Sequence, residues 1–270
     1  MFGKKNMAVM GTGNIAATMA GTMKSVPEVR RYAVASRERS RAESFAREYG
    51  FKQAYGSYEE LVRDKKVDLV YIATPISEHY ENMKLCIENG KAVLCEKAFT
   101  LNEEQAKEIF ALAEEKNVFV TEAIWVRYMP MLQTILDVIA SRVIGEPVML
   151  TANLGYNIGQ VRRMRDPRLG GGALLDLGVY PINFASMLFG DDIISINASC
   201  TYTDTGVDEQ DSITFRYRDG KVAVLTATMV GTSDRQGVVY GTRGYLVVEN
   251  INNFETLTVY NSDHVRTAFY

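Results

Sequence analysis

Four groups of residues in this 270-residue chain combine type and spacing in a way that implies chemistry. Gly11-Thr12-Gly13-Asn14-Ile15-Ala16 follows an apolar run and opens an amphipathic one, the context in which GxGxxA reads as a dinucleotide-binding turn. Gly11 permits the tight turn, and Gly13 lets backbone N–H groups approach a pyrophosphate. Ala16 keeps the helix close to the sheet, at the positive end of its dipole. The next apolar run ends in Ser36-Arg37, with Arg41 close behind, where an NAD site would place an Asp or Glu against the ribose hydroxyls. A guanidinium offers two parallel donors to a 2′-phosphate, so this strand end predicts NADP, with NAD possible. The alternative is that these arginines are solvated at a helix start, where their charge faces the unfavourable end of the dipole.

The third group is Val93-Leu94-Cys95-Glu96-Lys97-Ala98, which ends the fifth strand of this reading. Ligands sit at strand C-termini of open parallel sheets, and a lysine there can polarise an oxygen. Spacing equally allows Lys97 to snorkel off the strand while Glu96 pairs with it. The fourth group follows Gly170-Gly171-Gly172, where Asp176 and Tyr180 stand four apart and hence on one helical face. The glycines would let this loop approach a ligand closely. Pro181 cannot donate to the carbonyl of Leu177, so a kink beside Tyr180 is expected. Tyr180 is a candidate proton carrier, although spacing alone favours a core-facing tyrosine with a satisfied hydroxyl.

The elements that must position these groups fall into two halves. Up to residue 122, short apolar runs at Met7 to Met10, Tyr32 to Ser36, Leu69 to Thr74, Ala92 to Cys95 and Val118 to Thr121 alternate with amphipathic segments. That is βαβ rhythm. Ser40 with Glu43, Ser57 with Glu60 and Asn102 with Gln105 have the spacing of helix N-caps, and Gly50 and Gly90 that of helix stops. Strands such as VDLVYIAT are near-continuously apolar, as burial on both faces requires. From residue 123 to 270 strands dominate, and DSITFRYRDGKVAVLTATM alternates on either side of Asp219-Gly220, a hairpin turn pair. The expected fold is α/β: an N-terminal Rossmann doubly wound parallel sheet, then a C-terminal α+β domain with an open, mainly antiparallel sheet. Helices on only one face of that second sheet leave the other to be covered, and a homodimer through it is the expected cover.

Composition narrows the partners. Hydrophobic content of 47% with 23% charged residues is that of a globular chain, and a formal charge of −3 without a basic stripe argues against nucleic acid. No polybasic patch, signal peptide or run of about 18 apolar residues is read, so no membrane partner and a cytoplasmic location are expected. Three cysteines without CxxC spacing and only two histidines make a metal site a poor reading. A small-molecule substrate is the expected partner.

Taken together, GTGNIA, the ATPxxxH stretch Ala73 to His79, CEKA at Cys95 to Ala98, EAIWVRYMP and GGALLDLGVYP resemble the glucose-fructose oxidoreductase/inositol dehydrogenase/MocA family, within it most the dimeric dihydrodiol dehydrogenase branch. The resemblance covers essentially the whole chain. It implies hydride transfer between NAD(P) and a hydroxyl or carbonyl carbon of a sugar, cyclitol or dihydrodiol. The alternative within the same fold is a non-catalytic NAD(P)-binding sensor. By resemblance Lys97 is the lysine of the EKP motif, with Ala98 where proline is usual, and Tyr180 stands where other members carry histidine. Lys97, Tyr180 and Asp176 are then the implied catalytic set. Cofactor contacts extend to Thr12, Asn14, Ile15, Thr74, Pro75, His79, Glu96, Lys97, Trp125 and Arg127. Fold-level analogy also leads one to expect a further C-terminal segment of about 60 residues.

Overall fold

The computed structural model describes residues 3 to 270, in two compact units, one ending at Ala123 and the other running Ile124–Tyr270. The first holds strands β1 (Lys5–Met10), β2 (Val29–Ala35), β3 (Gln53–Tyr55), β4 (Leu69–Ile72), β5 (Ala92–Cys95) and β6 (Val120–Glu122) in the order β3-β2-β1-β4-β5-β6. Every pairing is parallel, and the order reverses between β1 and β4, where doubly wound sheets bind nucleotides. Helices α1 (Asn14–Thr22), α2 (Arg39–Tyr49), α3 (Tyr58–Arg63), α4 (His79–Glu88) and α5 (Glu103–Lys116) connect the strands. Alternation along β1 sends Ala8 and Met10 into one buried cluster and Met7 and Val9 into the other, so both faces are covered.

Local signals place most helix starts. Ser57 Oγ accepts the Glu60 N–H at 3.1 Å and Asn102 Oδ1 the Gln105 N–H at 2.9 Å. Ser40 is not a cap. Helix α2 begins two residues earlier, with Glu38 at the cap position and no side-chain cap, and Glu43 pairs instead with Arg39 at 3.1 Å. The expected strand runs omit β3, which has three residues and one aliphatic side chain, too short to show a period. Next to it Asp64 gathers a part-buried network: its carboxylate accepts the Tyr32 and Tyr55 hydroxyls at 2.8 and 2.7 Å and the Lys66 N–H at 2.9 Å. Burial would raise the Asp64 pKa, but these hydrogen bonds and the Lys91 charge outweigh it and hold the carboxyl below its ordinary value.

The second unit contains β7 (Pro147–Gly155), β8 (Ile193–Tyr202), β9 (Asp208–Tyr217), β10 (Val222–Thr228), β11 (Gly237–Gly241), β12 (Gly244–Val248), β13 (Leu257–Asn261) and β14 (Arg266–Phe269), with helices α6 (Pro130–Ala140), α7 (Arg162–Arg165) and α8 (Val179–Phe189). The sheet order is β14-β13-β12-β11-β7-β10-β9-β8, antiparallel except for the central β7–β10 pair. Asp219-Gly220 closes the β9–β10 hairpin, with Gly220 at φ +90°. One face of this sheet buries Leu150, Phe215, Leu225 and Val239 against Ile135 of α6 and Phe184 of α8. The opposite face carries Val224, Val238 and a row of tyrosines in which Tyr245 stacks on Tyr260 at 4.9 Å. The helical run Pro167–Phe189 is long and apolar enough by composition to cross a membrane, but 56% of its apolar window is buried inside the fold.

Replacing Asp64 by alanine removes three hydrogen bonds to a carboxylate and is expected to cost about 2–4 kcal/mol at pH 7. The native carboxyl has the depressed pKa, so its contribution is present above the unfolded value of about 4 and disappears as pH falls through the native one. Urea unfolding of wild type and Asp64→Ala should therefore give midpoints well apart at pH 7 and converging at the acid end.

Candidate active site

Gly11 leaves β1 at φ +105°, its N–H donating to the Ala35 carbonyl at 2.9 Å. A Cβ there would lie 2.7 Å from the Ala73 carbonyl oxygen, so only glycine passes between the ends of β1 and β4. Gly13 precedes α1 in extended backbone, and a Cβ on it would meet nothing within 4 Å. The glycine thus faces open space, at a helix N-terminus whose first N–H groups lack helical partners. A cavity of about 270 Å³ opens there, lined by Gly11, Thr12, Gly13, Ser36, Arg37, Arg41, Thr74 and Pro75, together with Glu38, Tyr58 and Ala73. These residues fit a dinucleotide: a bare backbone cradle for phosphates and two guanidiniums, Arg37 just past the end of β2 and Arg41 in the first turn of α2. Asn14 and Ile15 are exposed on α1 and do not line the cavity. Tyr58 was not foreseen, because it opens α3 directly after the unexpected β3. Burial raises its phenol pKa, and the Arg37 and Arg41 charges pull it back, which places both arginines in its electrostatic reach.

The strand end carrying Lys97 is built from below. Glu96 is buried, its N–H bonded to the Ile72 carbonyl at 3.0 Å. Its carboxylate accepts the Tyr71 hydroxyl in a short hydrogen bond and the Lys97 backbone N–H at 3.2 Å. The Lys97–Ala98 peptide is cis without a proline. His79, expected among the cofactor contacts, does not line the cavity. It is wholly buried, with Nδ1 2.9 Å from the Ala98 carbonyl and Nε2 3.0 Å from that of Thr74. Burial pushes its pKa down against the pull of these carbonyls, and a neutral ring donates to one of them at a time. His79 therefore ties the loop after β4 to the loop after β5, and Asn82 steadies Thr74 from α4 at 3.0 Å. Glu96 likewise stands outside the cavity lining, under the Lys97 loop.

In the second unit Leu174–Gly178 forms a π turn, and α8 begins only at Val179. The continuous helix expected from Ala173 is thus widened just before Pro181, the residue that cannot supply a helical N–H. Asp176 is buried, and its two oxygens accept both terminal nitrogens of Arg163 at 2.9 and 3.1 Å. Tyr180 is buried with its ring 5.4 Å from that of Trp125, whose Nε1–H donates to the Asn252 carbonyl at 2.6 Å. Arg127 donates to Asn183 Oδ1 at 2.6 Å and Ser186 Oγ at 3.0 Å, both on α8. The glycine loop before the π turn packs against protein. A Cβ on Gly171 would lie 2.7 Å from the Met164 carbonyl oxygen, and one on Gly172 would overlap the Asp208 carboxylate. Close approach to a ligand is therefore not what those two glycines provide. Arg163, thirteen positions before its carboxylate, gave no periodic signal in the sequence.

Residues 5–124 match the model of an oxidoreductase family with an NAD-binding Rossmann fold, and residues 132–247 the GFO/IDH/MocA C-terminal domain. The trans-1,2-dihydrobenzene-1,2-diol dehydrogenase of Xenopus laevis is 33% identical over 261 residues, 96% of this chain and 79% of that protein. The chain belongs to the GFO/IDH/MocA oxidoreductase family. Among further relatives of the same name, that of Mus musculus is 35% identical over 90% of this chain and 74% of its own length. The Xenopus tropicalis protein is 36% identical, and the match spans 66% of its length. Of solved structures, KijD10, a 3-ketoreductase from Actinomadura kijaniata in complex with NADP and TDP-benzene, superposes with a TM-score of 0.92 at 26% identity, covering 98% of this chain and 84% of that one. A levoglucosan dehydrogenase in complex with NADH and L-sorbose shares the fold at a TM-score of 0.89 and 21% identity, over 100% of this chain and 79% of that one.

Within this family member, Arg163→Met should leave the Asp176 carboxylate without its bidentate guanidinium and lower stability by about 1.5–3 kcal/mol, the range of hydrogen bonds to charged groups. Arg163→Lys should recover only part of that, since an ammonium cannot present two parallel donors. Calorimetric unfolding of the two variants beside wild type measures both.

Proposed function

We propose that this chain is an NADP-dependent dehydrogenase or reductase acting on a CH–OH or carbonyl carbon of a dihydrodiol, cyclitol or sugar. The observation that carries the reading is the cavity at the β1–β4 switch point, where Arg37 and Arg41 stand beside the glycine cradle. The names of the relatives, diol dehydrogenases at 33% to 36% identity and a ketoreductase in complex with NADP, support the same chemistry. Glu38 lines that cavity too and favours a second reading, NAD, because its carboxylate can accept ribose hydroxyls.

When bound, the nicotinamide supplies the hydride or accepts it. The chain's own residues do the rest. Lys97, on a loop braced by Glu96 and His79, polarises the reacting oxygen with its ammonium charge. In the second unit, Tyr180, packed beside Trp125, is the proton carrier of this reading. Asp176, fixed by Arg163, orients the substrate hydroxyls, and Trp125 and Arg127 shape the ground beside Tyr180. The tyrosine-rich open face of the eight-stranded sheet, where Tyr245 stacks on Tyr260, supports association into a homodimer.

Arg37→Ala is expected to weaken NADP binding roughly ten- to hundredfold with little change for NAD, as calorimetry at two salt concentrations would read. Equal losses for both cofactors, or a selective gain of NADP in Glu38→Gln alone, would favour the NAD reading. Lys97→Met and Tyr180→Phe should each cut turnover at least ~100-fold while leaving cofactor affinity near wild type. A wild-type chain that binds cofactor yet reduces or oxidises no diol, cyclitol or sugar would be a sensor instead.

A further inference from the structure

The segment that carries Asp176 and Tyr180 is gripped from a strand far away in sequence. Asp208, the first residue of β9, accepts the Leu174 N–H on Oδ2 at 2.5 Å. Gly172, at φ +122°, lies against the same carboxylate with no room for a Cβ. On its other side the Gly172 N–H donates to the Met164 carbonyl at 3.0 Å. The Leu174 N–H opens the π turn, where donors lack partners within the helix, so Asp208 serves as a cap that reaches in from another element.

Three residues along β9, Asp211 is 8% exposed, and its Oδ2 is buried without a hydrogen-bond partner. Among the described residues, the charge that acts on it is that of Asp208. On its own strand it faces Asp208. On β8, Cys200 lies opposite it and Tyr202 opposite Asp208. On β10 the opposite residue is Ala227, flanked by Thr226 and Thr228. The π turn brings the Leu174 N–H and, two residues on, Asp176, to which Arg163 is committed. Two carboxyls so placed cannot both ionise cheaply, and the more buried one keeps a proton. Burial first, and then the neighbouring Asp208, push Asp211 up to about 7.

We propose that Asp208 is a positioning residue that holds the turn bearing Asp176 and Tyr180, and that a proton retained on Asp211 keeps Asp208 in place. The inference rests on the dehydrogenase reading for the role of that turn, but the clamp itself can be observed without turnover. A protonated Asp211 can donate its orphaned hydroxyl to Asp208, leaving Asp208 Oδ2 for Leu174. An ionised Asp211 repels Asp208 and loosens the cap. The native state binds this proton more tightly than the unfolded chain, whose aspartates titrate near ~4, so Asp211 lowers stability as pH rises from about 4 to 7. Beyond that the repulsion acts within the folded protein.

The test is hydrogen exchange at the Leu174 amide of the full chain at pH 6 and pH 8.5, corrected for intrinsic rates, beside kcat, KM and NADP affinity over the same range. In wild type, protection should fall at least ~10-fold between the two pH values, with kcat falling in parallel and NADP affinity steady. Asp211→Asn cannot ionise and should hold both protection and kcat across the range. Asp208→Ala should lose protection and kcat at both values, and Asp208→Asn, which keeps an acceptor oxygen, should restore them. Should Asp208→Ala not fold, the comparison of wild type with Asp211→Asn decides alone. An Asp211→Asn variant that titrates as wild type does, protection that survives in Asp208→Ala, or protection lost there with kcat intact would each overturn the proposal. A wild-type amide that titrates as described in a chain without any turnover would support the clamp and count against the dehydrogenase reading.

Discussion

The approach of Gly11 to the Ala73 carbonyl oxygen decides where the first unit can hold a ligand. At that point β1 and β4 diverge to opposite sides of the switch in strand order, and the backbone must turn within the width of a glycine. Because no side chain fits, the turn leads directly to Gly13 and the uncovered N-terminus of α1, and the cavity inherits bare N–H groups on one wall and the end of β2 on the other. The same divergence exposes the loops after β4 and β5. His79, placed at the head of α4, spans both with its two ring nitrogens, so the lysine loop and the cofactor cavity share one buried brace. Disturbing either loop is therefore felt by the other.

The parts of this arrangement visible in the sequence are those encoded within a few residues of one another. The GTGNIA turn, the alternation across Asp219-Gly220 and the caps at Ser57 and Asn102 each depend on neighbours three or four positions away, and the fold bears them out. The strand β3 escaped notice because three residues cannot show a period. Ser40 misled because α2 starts at Arg39, where the Arg39–Glu43 pair occupies the glutamate that a capping box would use. Tyr58 became visible as a cavity residue only once β3 was in place.

What the sequence hid most completely is long-range pairing. Arg163 with Asp176, Asp208 with Leu174 and Trp125 with Asn252 join residues 13, 34 and 127 positions apart. No local pattern marks them, because their geometry depends on the register of a sheet that is assembled from both ends of the unit. The triple glycine illustrates the consequence. As a string it suggests a loop laid against a ligand. In the fold, Gly171 and Gly172 are glycines because Met164 and Asp208 occupy the space where their side chains would be.

Three carboxylates show how one side chain is set to different charge states by its surroundings. Asp64 stays ionised although part-buried, because two phenols, a backbone N–H and the Lys91 charge favour the anion over the neutral acid. Asp176 is held by a guanidinium that matches its two oxygens. Asp211, equally removed from water, is met by another acid and an alanine, so desolvation prevails and the proton stays. The donors that distinguish these sites are themselves delivered by backbone: β3 brings Tyr55 to Asp64, α7 brings Arg163 to Asp176, and β10 brings nothing polar to Asp211. What meets each carboxyl is thus a property of topology, and the segment bearing Tyr180 lies between the second and third of these environments, anchored on one side by a carboxylate paired with a guanidinium and on the other by the Asp208 carboxylate that caps Leu174.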